Sequence, residues 1–250
     1  METTNDYKLV PGFGNSFSTG WKVMTDNFLR LLLVIIILAI VVAPFRIFHW
    51  QFDASDFHKA PWLWDWHDGR GWEQLFGLAS LGIFAAFFTL LAVLYAFLVA
   101  PVFNYGGDFI FVRSVRKIRP EFEYLIKGFS ENYLHIVLAN LLVVALIIMG
   151  IFALIIPGII IACRLVFVSY LVMDKKLDPI EAVEKSWKLT RGHGWKIFFM
   201  GLVSFFIILF GLILMIVGIF PALIWVNTSF ASLYESVLHE KEPIVESVAA

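Results

Sequence analysis

Residues 135–173 read HIVLANLLVVALIIMGIFALIIPGIIIACRLVFVSYLVM. Arg164 is the one formal charge in this stretch. A membrane-crossing helix needs about 20 mostly apolar residues at ~1.5 Å each. The stretch is too long for one crossing and too short for two generous ones. Ile155-Ile156-Pro157-Gly158 divides it, because Pro blocks helix continuation and Gly permits positive φ. A tight hairpin is expected there, with arms over 135–156 and 159–173.

The same reasoning extends outward. Residues 197–234 carry no formal charge, and as one helix they would run about 57 Å, nearly twice a hydrocarbon core. Gly218-Ile219-Phe220-Pro221 supplies the break, which predicts spans over 197–218 and 221–238. Upstream, 28–47 fits one span, with Arg30 and Arg46 placed to snorkel at its ends, and 75–102 fits another. The prediction is one all-α polytopic membrane domain over 1–250, with six spans and a Trp-rich external loop at 49–73. No acid is expected inside a span.

Composition agrees with a membrane chain. Of 250 residues, 60% are hydrophobic and 16% charged, with a mean hydropathy of +0.83. Soluble domains are about half apolar and about a quarter charged. A soluble enzyme, a disordered chain and a disulfide-stapled secreted domain are thereby excluded. The net charge of −1 provides no basic field for a nucleic-acid partner. Cys163, the single cysteine, predicts no disulfide framework. The 26 Phe and nine Trp fit lipid-facing and headgroup-level positions.

Orientation follows from the basic residues. With six spans, 15 of the 19 Lys and Arg fall on one side, which the positive-inside rule makes cytoplasmic. The loop 49–73 has Lys59 and Arg70 against Asp53, Asp56, Asp65, Asp68 and Glu73, and is expected outside. Both termini are then cytoplasmic. No cleavable secretory signal precedes the first apolar run.

The cytoplasmic segments resemble one another. Asp178-Pro179-Ile180-Glu181 has the pattern of a capping box, with Asp as N-cap, Pro at N1 and Glu at N3. The helix it opens places Ile180, Val183 and Trp187 on one face, and Gly192 is placed to end it. Arg119-Pro120-Glu121 opens a second amphipathic element with Phe122, Leu125, Ile126 and Phe129 as its apolar face. A third runs from Phe17 through Trp21 toward Phe28. Each carries a small residue before an aromatic: Gly20-Trp21, Gly128-Phe129 and Ser186-Trp187. Three units of amphipathic interfacial helix plus transmembrane hairpin are expected.

The series Ile155-Ile156-Pro157-Gly158, Arg164, Tyr170 and Asp178-Pro179-Ile180-Glu181-Ala182-Val183-Glu184-Lys185-Ser186-Trp187-Lys188-Leu189-Thr190-Arg191-Gly192 resembles a bacterial group of six-helix membrane proteins. That group includes the DUF975 proteins, the YciC-like proteins and the membrane domain beside some glycerophosphodiester phosphodiesterases. The resemblance covers roughly 106–238. It implies a fold and a place in the bacterial cytoplasmic (inner) membrane; the group has no agreed activity, and no phosphodiesterase activity transfers.

Arg164 is the sharpest chemical feature. A charge seven residues past Pro157 lies about 10 Å in from the expected turn, where charge is costly and by default a functional sign. Its candidate partners are carbonyls, hydroxyls, water, lipid phosphate, another subunit, or Asn140 and Asn227. An Arg tied to carbonyls to fix helix packing is the weightier expectation; an anionic lipid or substrate site is the alternative. His49, His58 and His67 among acids suggest at most a metal site, and the surrounding Trp residues favour a loop resting at headgroup level.

No nucleophile constellation or phosphate loop is present. Neither a catalytic residue, a metal nor a cofactor is expected. The leading expectation is a non-catalytic accessory or scaffold subunit that associates with other integral membrane proteins and with lipids. Lipid or small-molecule handling at an anionic site near Arg164 is the alternative.

Overall fold

The computed structural model describes residues 10–51 and 71–242, all of the regular structure among them helical. Two compact units are distinguished, one formed by 39–100 and the other by 1–38 with 101–250. Residues 52–70, which carry His58, His67 and most of the predicted external loop, lie outside the described residues.

The smaller unit holds the end of α2 (Phe28–Gln51) and all of α3 (Gly71–Leu98). Within it the Tyr95 hydroxyl donates to the Val41 carbonyl at 2.8 Å. Such a bond removes a polar group from an otherwise apolar surface that includes exposed Ile83, Phe87 and Leu90.

The larger unit begins with α1 (Phe13–Asp26), which meets α2 at a 96° bend around Asn27. It continues with α4 (Ala100–Val115), α5 (Tyr124–Glu131), α6 (Tyr133–Ala153), α7 (Ile155–Leu165) and α8 (Val168–Lys175). α9 (Pro179–Leu189), α10 (Gly194–Ile213) and α11 (Met215–Lys241) complete it. Among the described residues, four segments are long and apolar enough to cross a membrane: 86–115, 133–153, 155–175 and 194–213. The bent pair 13–41 makes five if it counts as one.

α11 is longer than any of these except the first, yet more polar. Its length from Thr228 to Ser236 is buried apart from half-buried Phe230, and includes Thr228, Ser229, Ser232, Glu235 and Ser236. The hydroxyls of Thr228, Ser229 and Ser236 return to carbonyls of the same helix at 2.6–3.0 Å. A helix enclosed by protein can carry such residues, because each finds its acceptor without water.

Both predicted hairpin turns shift by a few residues. Leu154, with extended φ −172° and ψ 155°, is the break between α6 and α7. Pro157 and Gly158 lie inside the first turn of α7, where a missing N–H leaves no helix bond unmade. Gly158 serves a crossing: a Cβ there would sit 2.9 Å from the Ile151 nitrogen, and one on Gly150 3.0 Å from the Gly158 Cα. The second turn is at Leu214, and Pro221 lies inside α11. Gly211 and Gly218 form the equivalent close crossing, each Cβ position lying within 2.8 Å of the other's carbonyl oxygen.

The expected capping box also needs correction. Asp178 is the N-cap of α9 with Pro179 at N1, but its side chain makes no cap bond. It pairs instead with His135 Nε2 at 2.8 Å. α9 buries Ala182, Ser186 and Leu189 and leaves Ile180 and Trp187 exposed. The packed face is thus the small one, and the large apolar side chains point outward. Gly192 follows with φ +91°, a conformation that suits glycine after a helix.

Candidate functional site

Arg164 is the next-to-last residue of α7, ten residues beyond the turn at Leu154. That puts it ~15 Å along the helix rather than the expected ~10 Å. α9 returns beside α7 and α8, so its hydroxyls reach the end of α7. The Ser186 hydroxyl donates to the Arg164 carbonyl at 2.7 Å, and that of Thr190 at 3.4 Å. These bonds engage the backbone of Arg164 and leave its side chain for other work.

The guanidinium carbon lies 5.8 Å from the centre of the Trp187 ring, within cation–π range. Nη1 is buried and has no hydrogen-bond partner among the described residues. An unpartnered buried charged donor is expensive, and in a native structure it calls for a ligand, water or ion. The expected asparagine partners are elsewhere. Asn227 donates to the Leu223 carbonyl of its own helix at 2.9 Å, and Asn140 is half-buried on α6. Neither lines the space around Arg164.

That space is a cleft of about 550 Å³ between α7 and α10. One wall is the stripe Ile156, Ile159, Ile160 and Cys163, whose spacing of three and four residues is one helix face. The other is Trp195 and Phe198, one turn apart on α10. Arg164, Gly192 and Gly194 close one end. The Arg164 side chain passes beside Gly194: a Cβ there would be in ordinary van der Waals contact, 4.0 Å from Nη2. Beyond it the first N–H groups of α10 have no intrahelical acceptor and carry the positive end of the helix dipole. The cleft is apolar along its length and cationic at one end.

A second charged cluster lies at the ends of α4, α8 and α11. The guanidinium of Arg116 is bidentate to Asp174, with Nη2–Oδ2 at 2.8 Å, and donates through Nε to Glu235 Oε2 at 3.0 Å. The Tyr234 hydroxyl adds a bond to Asp174 at 3.0 Å, and Tyr234 stacks on Tyr170 with ring centres 5.1 Å apart. Burial works against the charge on Arg116, but its bonds to Asp174 and Glu235 hold its pKa above the ordinary arginine range. His239 Nδ1 lies 2.8 Å from the Glu235 carbonyl, extending the cluster along α11. Every charge here has a partner, which fits a structural tie.

Two acids break the expectation that spans hold none. Glu235 is buried in the last turns of the predicted segment 221–238. Asp108 lies inside the apolar segment 86–115, half-buried, with Ser169 beside it. Sequence reasoning ended that span at Val102 and so left Asp108 outside. Lys241, His193 and Glu240 at the turn between α9 and α10 were not anticipated either. They arrive from α11 and the α9–α10 turn, and no local spacing connects them with Arg164. No family model, no curated protein and no solved structure matches the chain.

Proposed function

We propose that this multi-pass membrane protein binds an anionic amphiphile, the charged head at Arg164 and the tail along the cleft between α7 and α10. The observation that carries the proposal is the buried, unpartnered Nη1 of Arg164 at the end of an otherwise apolar cleft. A volume of about 550 Å³ falls within the ~300–1,000 Å³ of ordinary small-molecule sites. The handling is non-catalytic in this reading, with no metal or cofactor.

The accessory-subunit role stands second. The outward surface of α10, with Phe199, Phe205, Phe206 and Phe210 exposed, could take a partner helix but is equally what lipid tails require.

We place the chain in the bacterial cytoplasmic membrane with both termini inside, as the resemblance to the DUF975 and YciC-like group and the basic-residue bias imply. Six spans in three units are part of the same reading. Lys117 and Lys176 both adopt left-handed conformations (φ 58° and 52°), each three residues before a proline, Pro120 or Pro179. The small residues of the three amphipathic helices all sit at tight crossings. Gly20 lies against Ser229 of α11 and Gly128 against Val102 of α4, while Ser186 bonds the Arg164 carbonyl of α7. In this reading the first amphipathic helix leans on the last hairpin and the third on the second, while Gly128 of the middle one lies equally close to Val102 of α4 and Ile136 of α6.

A photoreactive lipid with a phosphate headgroup and a mid-tail diazirine tests the binding reading. Adducts concentrated on the Ile156–Arg164 and Gly192–Phe198 peptides, and lost in Arg164→Gln, are expected. Labelling spread evenly over the exposed helix faces would overturn the proposal.

A further inference from the structure

The cleft between α7 and α10 specifies its occupant beyond the sign of the charge. Of the side chains that line it, Arg164 alone is charged, and none is an acid. One cation balances one negative charge, and a doubly charged head would leave a surplus charge in an apolar site.

The shape of the charged end narrows the head further. Nη1 is enclosed, and the turn residues Gly192 and Gly194 stand beside the guanidinium at that end. Trp187 lies over the guanidinium, its ring centre 5.8 Å from the central carbon, so a partner meets the edge. An acceptor that reaches Nη1 along the cleft must therefore end there. A carboxylate does, being flat, terminal and two-oxygened, the geometry that an arginine fork accepts. A phosphodiester carries a second ester arm past its phosphorus, and here the turn stands in the way of that arm.

The remaining walls describe the tail. From Ile156 to Cys163 the α7 stripe runs ~10.5 Å, about the reach of nine methylene carbons at ~1.2 Å per bond. Ile156, Ile160 and Trp195 are exposed, so the trough opens sideways. On a segment apolar enough to cross a membrane, such an opening faces hydrocarbon.

Resting on the amphiphile-binding reading, we infer that the occupant is a long-chain fatty acid, its carboxylate paired with Arg164 and its tail along the Ile156–Cys163 stripe, admitted sideways from the bilayer. One carboxylate oxygen supplies the acceptor that Nη1 lacks. The other is left for the first amides of α10, which have no intrahelical acceptor.

Cys163 makes the test direct, because it is the chain's single cysteine and lines the cleft beside Arg164. The full chain in non-ionic detergent at pH 8 is treated with a small maleimide. Intact mass follows the rate of the single adduct as amphiphiles are added at matched concentrations. Dodecanoate should slow the alkylation, with half-protection at about tenfold lower concentration than lysophosphatidylglycerol of the same tail. Dodecanol, dodecyltrimethylammonium and butyrate should give no protection in that range. In Arg164→Gln, measured against its own unprotected rate, dodecanoate should need about tenfold more or fail to protect.

Equal or better protection by lysophosphatidylglycerol, lost in Arg164→Gln, would overturn the fatty acid and leave the amphiphile site standing. Protection shared by dodecanol or unaffected by Arg164→Gln, no protection by any amphiphile, or a thiol that the maleimide never reaches would overturn both.

Discussion

Arg116 directly follows α4 and Arg164 stands at the end of α7, and each meets its surroundings differently. Arg116 makes three hydrogen bonds to two buried carboxylates, which are themselves bonded to Tyr234 or flanked by His239. Arg164 keeps a buried Nη1 without a partner and faces an open apolar cleft. The first is a closed set of charges that joins α4, α8 and α11; the second is an open one. Charge within or beside a bilayer is costly in both places. At Arg116 the protein offsets that cost itself, and at Arg164 no group among the described residues does so for Nη1.

The largest effect that would sharpen this contrast is on stability. Arg116→Met should destabilise the protein by about 3–5 kcal/mol, because Asp174 and Glu235 would remain buried without a counter-charge. Denaturant unfolding in detergent checks it, and a loss below ~1 kcal/mol would show that the tie is not closed as described.

Gly20→Val should come next, at about 1–3 kcal/mol. A Cβ at Gly20 would lie 2.8 Å from the backbone nitrogen of Ser229, and overpacking at backbone contact has no soft neighbour to yield. Thermal unfolding is the readout, and an unchanged midpoint would remove the α1–α11 crossing from the account.

Arg164→Gln should change stability by less than about 1 kcal/mol, since the Ser186 and Thr190 bonds run to its backbone carbonyl. Binding of the anionic lipid, in contrast, should fall about tenfold or more. If this variant unfolds as Arg116→Met does, the two arginines are alike and the comparison fails. The smallest effect is expected at Asn227→Ala. Its amide serves only its own helix at Leu223, so lipid binding should be unchanged and the stability loss within roughly 1 kcal/mol. A binding defect there would reinstate it as a partner of Arg164.

Local chemistry made much of this legible in the sequence. Arg164 stands out because no other formal charge occurs from His135 to Met173. The helices and their approximate ends follow from the lengths of the apolar runs. The Pro-Gly pairs were informative in a different sense from the expected one. Pro157 tolerates an early helical position and Gly158 permits a close crossing, while the chain turns at Leu154, which has no turn signature.

What the sequence could not supply was long-range pairing. Arg116 and Glu235 are 119 positions apart, and Lys241 reaches carbonyls 53 and 50 residues away. Asn140 and Asn227 were reasonable candidates by polarity, but helix rotation decides which face a polar residue takes. Asp108 was missed because the chain remains helical and apolar past Val102, through Ile110, Phe111 and Val112.

The most direct test of the open charge at Arg164 is to release the protein from its own membrane in native lipid. Intact mass spectrometry then compares the wild type with Arg164→Gln. The account predicts one retained anionic lipid on the wild-type chain and none on the variant, with both chains folded. A wild-type chain without a bound lipid, or one retained equally by the variant, would contradict it.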